Sequence, residues 1–596
     1  VNITDFFNNE VIEFSMYDVA RSVPSGVDGF KPSQRKCMYI GLDKLNTKNE
    51  IKVAQFGPKV AEHSEYHHGE TSLLETIIGM AQTFLGSNNI SYFREDGQFG
   101  TRLEGGKDHA SARYIFTRLN KISRYIFREE DDKILEYLEE DGKSIEPKYY
   151  IPIISTLLAN GSKGIGTGWS SNVPAYNPVD QIKWIKQWLK DECYLYMNHD
   201  ETEYISKIPD DNFMIPWYRD FKGTITYDNE KNRYCYSGVI QKVDDETYEI
   251  KELPIGMWTN KYKQYIEDIR DGKKTTKTGY DAMSVKDIKE ELGNRGLAKT
   301  GTRKSLIQKL KDNDEGISNS SSDNINYKKL KVNELKEELK KRQLAITGKK
   351  DDLVQRLIDD DKKNSDNNKE EKKDKKIESK PKYIRKVEDC SGAYNISFKV
   401  TPEEGFDMSV DNELLKLKTY EKTTNMYCFS PEGKIKLYTS PGMILADFCR
   451  VRYIAYEKRK KYLIQSLETE LIEIESKARF VKEGRENKEL LRQSKAKVLQ
   501  HLEKQGYAKR NGGYGYLTGM SILSLTEDLY QKLLNDMKDK QSYLEYVKNR
   551  TINDMWISDI EEFIEQYDQW TEELEEQRRE MQEAKIERKP MRKYKK

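Results

Sequence analysis

Apolar positions in the first ninety residues fall at helical spacing and predict a run of short helices. The stretch 7–20, FNNEVIEFSMYDVA, reads as one helix. Lys31-Pro32 opens a second that runs through Leu42, with Pro where a missing N–H is harmless. Val53, Phe56 and Val60 mark a third. Leu73, Leu74, Ile77, Ile78, Ala81 and Phe84 share one face of a fourth that starts near Glu70. Three of these short helices, with Gly- and Pro-containing turns, are consistent with a helix-turn-helix, although a generic helical domain fits the pattern equally well. Past residue 155 the pattern shortens to strand-like runs: FKGTITY, CYSGVIQKV and YEIKELP. Strand patterns resume over 393–439 in AYNISFKV, MYCFSP and KIKLYTS. These two groups are expected to pair as one α/β domain interrupted by an insert. The last third is helical. Ile464, Leu467, Leu471, Ile474, Ala478 and Val481 form one coiled-coil seam. Trp556, Ile560, Phe563, Tyr567 and Trp570 form another, and the two are expected to pair antiparallel.

The insert repeats itself. Val285, Ile288, Leu292, Leu297, Gly301, Leu306 and Leu310 recur 47 residues later as Val332, Leu335, Leu339, Leu344, Gly348, Leu353 and Leu357. Each unit reads as helix, Gly-containing turn, helix. The linker GISNSSSDN separates them, and the charged run DDDKKNSDNNKEEKKDKK follows. Lys299, Arg303, Lys304, Lys349 and Lys350 flank the turns and suit phosphate contacts. A solvated spacer hairpin is the competing reading.

Composition adds limits. A chain of 596 residues holds roughly four domains. Charged residues make up 34% of it and the mean hydropathy is −0.88, so long exposed helices or disordered segments are expected. Lys and Arg (102) balance Asp and Glu (101), so any nucleic-acid-binding surface has to be local. Six cysteines, at 37, 193, 235, 390, 428 and 449, stand singly with no CxxC, which fits a reducing, intracellular compartment and no zinc site. No apolar run approaches the roughly 20 residues of a membrane span, and no signal peptide is visible.

The chemistry centres on Gly105–Leu119, GGKDHASARYIFTRL. By composition alone Tyr114 is a half-buried helical Tyr. Its position after a Gly-rich, basic loop suits instead an exposed hydroxyl near an anion. Tyr is a weak nucleophile with a pKa of about 10, and the neighbouring Arg113 would favour the phenolate and bind a phosphate. Four of the six histidines (His63, His67, His68, His109) lie within 63–109, but no Cys or carboxylate spacing supports a metal site. GSKGIGTGW (161–169) is Gly-rich, yet its spacing fits neither a P-loop nor a dinucleotide fingerprint. A tight turn explains it, with Trp169 expected in the core.

The segment GGKDHASARYIFTRL resembles the active-site segment of type IIA DNA topoisomerases, in the form found in eukaryotes and large DNA viruses. Further matching segments follow in order: SVPSGVDGFKPSQRK (22–36), EYHHGE (65–70), DGQFGTR (96–102), EPKYYIPIISTLLANGSKGIGTGWSSNVP (146–174), FKGTI (221–225) and ELPIGMWT (252–259). The resemblance implies a multidomain α+β chain: a winged-helix domain (1–154), a DNA-bending tower (155–275 with 381–440), and a coiled-coil arm with an exit-gate dimer contact near GYGYLTGMSILSLT (441–596). It implies Tyr114 as nucleophile, Arg113 and His68 at the scissile phosphate, and Arg21 and Lys31 on the DNA backbone. Ile165 would wedge between base pairs and kink the duplex. Arg35, Lys36 and Lys59 are expected to face DNA. The insert (276–380) resembles two SAP motifs, small DNA-binding units that the family does not require there.

The resemblance also implies double-stranded DNA as partner, a homodimer, Mg²⁺ and ATP. No TOPRIM signature, metal-binding DxD or ATPase loop is found in the sequence. Those parts are expected in the same polypeptide, of which this is a fragment, or in a partner chain. The nucleus or a viral DNA replication site is the implied location. A non-enzymatic DNA-architectural protein is the competing function, and the intact DHASARY segment and His68 argue against it.

Overall fold

Helices Pro32–Lys44, Val53–His63 and Glu70–Ala81 form the helical centre of the N-terminal region in a computed structural model of the chain. The structure describes residues 2–272, 285–295, 297, 299, 302–314, 332–342, 344–359, 383–487, 493–521 and 526–587. Gly301, the GISNSSSDN linker, nearly all of the charged run, residues 522–525 of the expected exit-gate contact and the basic tail RKPMRKYKK lie outside the described residues. The chain divides into two compact units. One comprises Val1–Lys263, Glu388–Lys399 and Met408–Lys596; the other comprises Gln264–Val387 and Val400–Asp407.

In the larger unit, Pro32 stands at the helix start, and the Gln34 side chain accepts from the Lys31 N–H at 3.0 Å. Cys37, Met38, Val53, Phe56, Val60, Leu73 and Ile77 are fully buried together, as their spacing requires. The helix expected over 7–20 is present within one continuous helical run, in which Phe6–Val11 is π-helical and Ile12–Ser22 is α-helical. A hairpin, Tyr137–Glu140 with Lys143–Pro147, completes this region.

The two strand groups do pair. Arg233–Ser237 is the centre of an antiparallel sheet, flanked by Thr224–Asp228 and by Lys418–Glu421, with Tyr420 opposite Cys235. Lys418–Glu421 is a strand that the hydrophobic pattern does not reveal. A second hairpin, Met426–Phe429 with Ile435–Tyr438, clamps the VPSG turn: Gly26 N–H donates to Phe429 O at 2.8 Å, and Phe429 N–H donates to Pro24 O at 2.9 Å.

The first seam lies on Pro441–Glu486, a 46-residue helix capped by the Ser440 side chain. Its partner is Glu527–Asn549: Leu467 packs with Leu544 and Val547, and Ala478 and Val481 pack with Leu533. The expected pairing with the second seam is corrected here. Trp556, Ile560, Phe563, Tyr567 and Trp570 enter the main core, where Trp556 Nε1 donates to Ile153 O at 3.0 Å. The cause is a break at Arg550, which is extended (φ −72°, ψ 140°). Thr551 and Asp554 then cap a new helix reciprocally, through Thr551 N–H to Asp554 and Asp554 N–H to Thr551 Oγ1. Flat aromatic side chains bury more area in a deep core than in a two-helix seam. Where the long helix meets this core, Arg452 is fully buried, with Asp131 at 2.6 Å and Ile151 O at 2.7 Å.

In the smaller unit each repeat has its own small core. Ile288, Leu292, Leu306 and Leu310 cluster in the first, and Leu335, Leu339, Leu353 and Leu357 in the second, position for position. Lys299, Lys349 and Lys350 are exposed. Arg303 and Lys304 open the helix Arg303–Asp314, and their side chains lie outside the described residues.

Candidate active site

Tyr114 sits in a turn just before the short strand Phe116–Thr117, and its side chain is 69% exposed. It is therefore not a half-buried helical Tyr. The loop before it depends on two glycines with positive φ, Gly105 (+64°) and Gly106 (+82°). A Cβ on Gly105 would lie 2.3 Å from the Trp258 indole, and one on Gly106 would lie 2.4 Å from the Gln82 amide. Gln82 Nε2 donates to Phe99 O and Gly106 O at 2.8 and 3.1 Å. The Asp108 carboxylate accepts from Thr101 N and Oγ1 at 2.8 and 2.6 Å. Both sides of Tyr114 are tied to the start of the helix Val53–His63, since Ala54 N–H donates to Ala112 O and Val53 N–H to Ile115 O, each at 3.1 Å. The backbone is thus held while the phenol projects outward. The exposed Arg113 guanidinium lies 5.6 Å from the Tyr114 ring centroid, with one long bond of 3.4 Å to Ser111 Oγ.

The last turns of the helix Ile12–Ser22 supply a second group. Arg21 pairs with Asp18 at 3.2 Å, and Asp18 also accepts from Thr167 N and Oγ1 at 2.8 and 2.9 Å. The Thr167 bonds, then Arg21, hold the Asp18 carboxyl below its ordinary range. Tyr17 Oη lies 2.5 Å from His68 Nε2. Tyr17, Arg21, His67, His68, Lys36 and Glu140 line a cleft of about 470 Å³, whose walls do not include Arg113 or Tyr114. The Lys31 ammonium donates to Lys163 O at 2.7 Å, and burial lowers its pKa.

Lys163 and Ile165 belong to the hairpin Ser162–Gly166 with Trp169–Val173, so GSKGIGTGW is two paired strands around a turn. Its glycines allow close packing on the preceding helix: a Cβ on Gly164 would lie 1.9 Å from Ser22 O. Ile165 opposes Ser170 and is 86% exposed, so its side chain is available to a partner. Trp169 is not in the core; it is 41% exposed, edge-on to Tyr427 at 5.1 Å.

Two expected DNA contacts are corrected. Arg35 is buried, and its Nε and Nη2 donate to Asp28 at 2.7 and 2.9 Å, so its charge is neutralised inside the fold. Lys36 lines the cleft, but its ammonium donates to Ser64 O and pairs with Glu146 at 3.0 Å. Lys59 is exposed. Arg35→Ala should lower unfolding stability by about 3–5 kcal/mol, because Asp28 is left buried and unpaired. The salt slope of DNA binding should not change. Urea melts and salt titrations check both, and a shallower slope would return Arg35 to the DNA surface. Among the described residues no group of three or more His, Cys, Asp or Glu is placed to hold a metal ion, the histidines of 63–109 included. Sequence reasoning missed Tyr17, Asp18 and Thr167. Only the i, i+3 spacing of Asp18 and Arg21 could have pointed to one of them.

The larger unit thus holds an exposed Tyr beside an Arg on a glycine-built loop, together with a helical head, a small sheet and a long helical arm. The DNA gyrase/topoisomerase IV A-subunit family model matches residues 21–347 and 361–561. DNA topoisomerase 2 of Plasmodium falciparum is 36% identical over 94% of this chain and 34% of its own length. The Saccharomyces cerevisiae enzyme is 32% identical over 94% and 34%. That of Invertebrate iridescent virus 6 is 32% identical over 94% and 38%. The crystal structure of the Plasmodium falciparum topoisomerase II DNA-binding, cleavage and re-ligation domain matches with a TM-score of 0.67 at 34% identity, covering 96% of this chain and 65% of that one. The chain thus spans about a third of the length of these curated relatives. It belongs to the DNA gyrase/topoisomerase IV A-subunit family, as the breakage-reunion region of a type IIA DNA topoisomerase.

Proposed function

We propose that this chain cuts and reseals both strands of a DNA duplex, one Tyr114 per strand in a homodimer. The observation that carries this reading is the exposed Tyr114 held on a fixed loop beside Arg113, whose guanidinium meets no carboxylate among the described residues. The Tyr114 oxygen attacks a backbone phosphorus and gives its proton to solvent, while the bond to the 3′ oxygen breaks and that oxygen takes up a proton from solvent. A 5′-phosphotyrosyl link and a 3′ hydroxyl result. No water is consumed, so reversal reseals the strand without ATP at that step. Arg113 and His68 offset charge on the phosphorus, and Arg21 and Lys31 hold the backbone nearby. In the intact enzyme, ATP would drive passage of a second duplex through the break, in the nucleus or at a viral DNA replication site. Mg²⁺ and ATP belong in this reading to a TOPRIM and ATPase portion, in the same or a partner chain. With that portion and Mg²⁺ supplied, denaturant quenching should trap the chain on 5′ ends, and digestion should place the nucleotide on the Tyr114 peptide. An adduct on 3′ ends, or on another residue, would contradict the reading.

Ile165 is proposed to enter the base stack, where its exposed side chain would become covered. Ile165→Ala should reduce the DNA bend read by end-to-end fluorescence transfer, because the unstacking it would stabilise costs a few kcal/mol. An unchanged bend would leave Ile165 without this role.

The repeats are proposed as an accessory DNA binder. Their separate small cores and the exposed Lys299, Lys349 and Lys350 support this. Replacing Thr276–Lys380 by a short Gly/Ser linker should weaken DNA binding and flatten its salt dependence, while cleavage at saturating DNA persists. Unchanged affinity and slope would make the insert a spacer or a protein-docking element.

A further inference from the structure

We infer that Tyr17 is a positioning residue for strand cleavage: its hydroxyl donates to His68 Nε2 and keeps the imidazole proton on Nδ1. The inference rests on the proposed role of His68 at the phosphate. A neutral imidazole has one donor and one acceptor nitrogen, and the partner of one nitrogen decides which is which. Tyr17 Oη and His68 Nε2 lie 2.5 Å apart, so one of the two donates to the other. If Nε2–H were the donor, Nδ1 would present a bare lone pair and repel a phosphate oxygen. With the phenol as donor, Nδ1–H is free to donate to that oxygen.

The surroundings hold this pair in place. The Tyr17 ring lies 5.8 Å from the His68 ring, and the Tyr66 ring meets His68 edge-on at 5.3 Å. The Arg21 guanidinium lies 5.5 Å from the Tyr17 ring centroid. The next residue, Asp18, is fastened to Thr167, so the helical turn that carries Tyr17 is fixed from its other side. The charged groups of the same cleft are engaged elsewhere. His67 faces Glu140 at 3.0 Å, Glu65 pairs with Lys143 at 2.7 Å, and Lys36 pairs with Glu146. Tyr17 is therefore the group that holds Nε2. Fifty-one residues separate it from His68 in sequence, and only the fold brings them together.

The test compares Tyr17→Phe, His68→Ala and the double variant of the full chain. Diethyl pyrocarbonate acylates unprotonated imidazole nitrogens, and mass spectrometry reads each histidine separately. Tyr17→Phe keeps the ring and its shielding but frees Nε2. His68 should then react several-fold faster relative to His63, and an unchanged ratio overturns the inference. With TOPRIM and Mg²⁺ supplied, Tyr17→Phe should slow single-turnover cleavage about ten-fold at saturating DNA, as expected for one lost hydrogen bond, with unchanged Kd. The effect should vanish in the His68→Ala background. If it persists there, or if His68→Ala is slow while Tyr17→Phe cuts normally, the inference falls and the role of His68 stands. If His68→Ala cuts at full rate, the role of His68 falls and takes the inference with it.

Discussion

Tyr114→Phe is expected to abolish the covalent protein–DNA adduct, a loss of at least roughly 10⁴-fold. The substitution keeps the ring and removes only the oxygen that would bond to phosphorus. The side chain is 69% exposed, so stability should stay within about 0.5 kcal/mol of the parent. The loop backbone should also be undisturbed, because it is held by Gln82, Asp108 and the start of the helix Val53–His63 rather than by the phenol. DNA affinity at fixed salt should therefore be retained. The assay is denaturant quenching with TOPRIM and Mg²⁺ supplied, followed by separation of protein-linked DNA. An adduct of normal yield in the variant would remove Tyr114 as nucleophile.

Arg113→Ala should slow cleavage about 10²–10³-fold, the usual consequence of losing one preorganised group at a developing charge. Affinity should fall much less, since one phosphate contact is one released counterion among many. The geometry supports this split. The guanidinium stands beside the Tyr114 ring, and among the described residues no carboxylate pairs with it, unlike Arg35 on Asp28 or Arg21 on Asp18. Rates at saturating DNA, set beside binding isotherms at one salt concentration, separate the two effects. Equal losses in rate and affinity would make Arg113 a backbone-positioning contact.

The contrast between these arginines shows what the sequence carried. Gly105-Gly106 announced a backbone that side chains would obstruct, and the structure fills that space with Trp258 and Gln82. The exposure of Tyr114 was legible in the Gly-rich, basic loop before it, whereas Ile165 was pointed to only by the family resemblance. Arg35 was not legible. KPSQRK reads as a basic surface, and nothing local says that Asp28 turns inward to receive Arg35. The second aromatic seam had the right period, but periodicity gives a face and not its partner. The partner was decided by the cap at Thr551 and by the bulk of Trp556. The strand Lys418–Glu421 escaped because a charged residue stands at each end, one of which, Glu421, is buried against Lys163 and Tyr236. Pairings across such distances lie beyond any reading of local pattern.

That same strand bears on why the chain tolerates so large an insertion. Lys418 pairs with Ser237, so the tower sheet closes a loop that contains both repeats and both of their flanking linkers. Loop-closure entropy grows only with the logarithm of loop length. Carrying the 276–380 segment inside this loop costs about 0.8 kcal/mol compared with a direct connection. Two hydrogen-bonded strand residues offset a penalty of that size, so the sheet acts as a permissive port. Segments gained or lost between its two halves leave the pairing energetics of this sheet almost untouched.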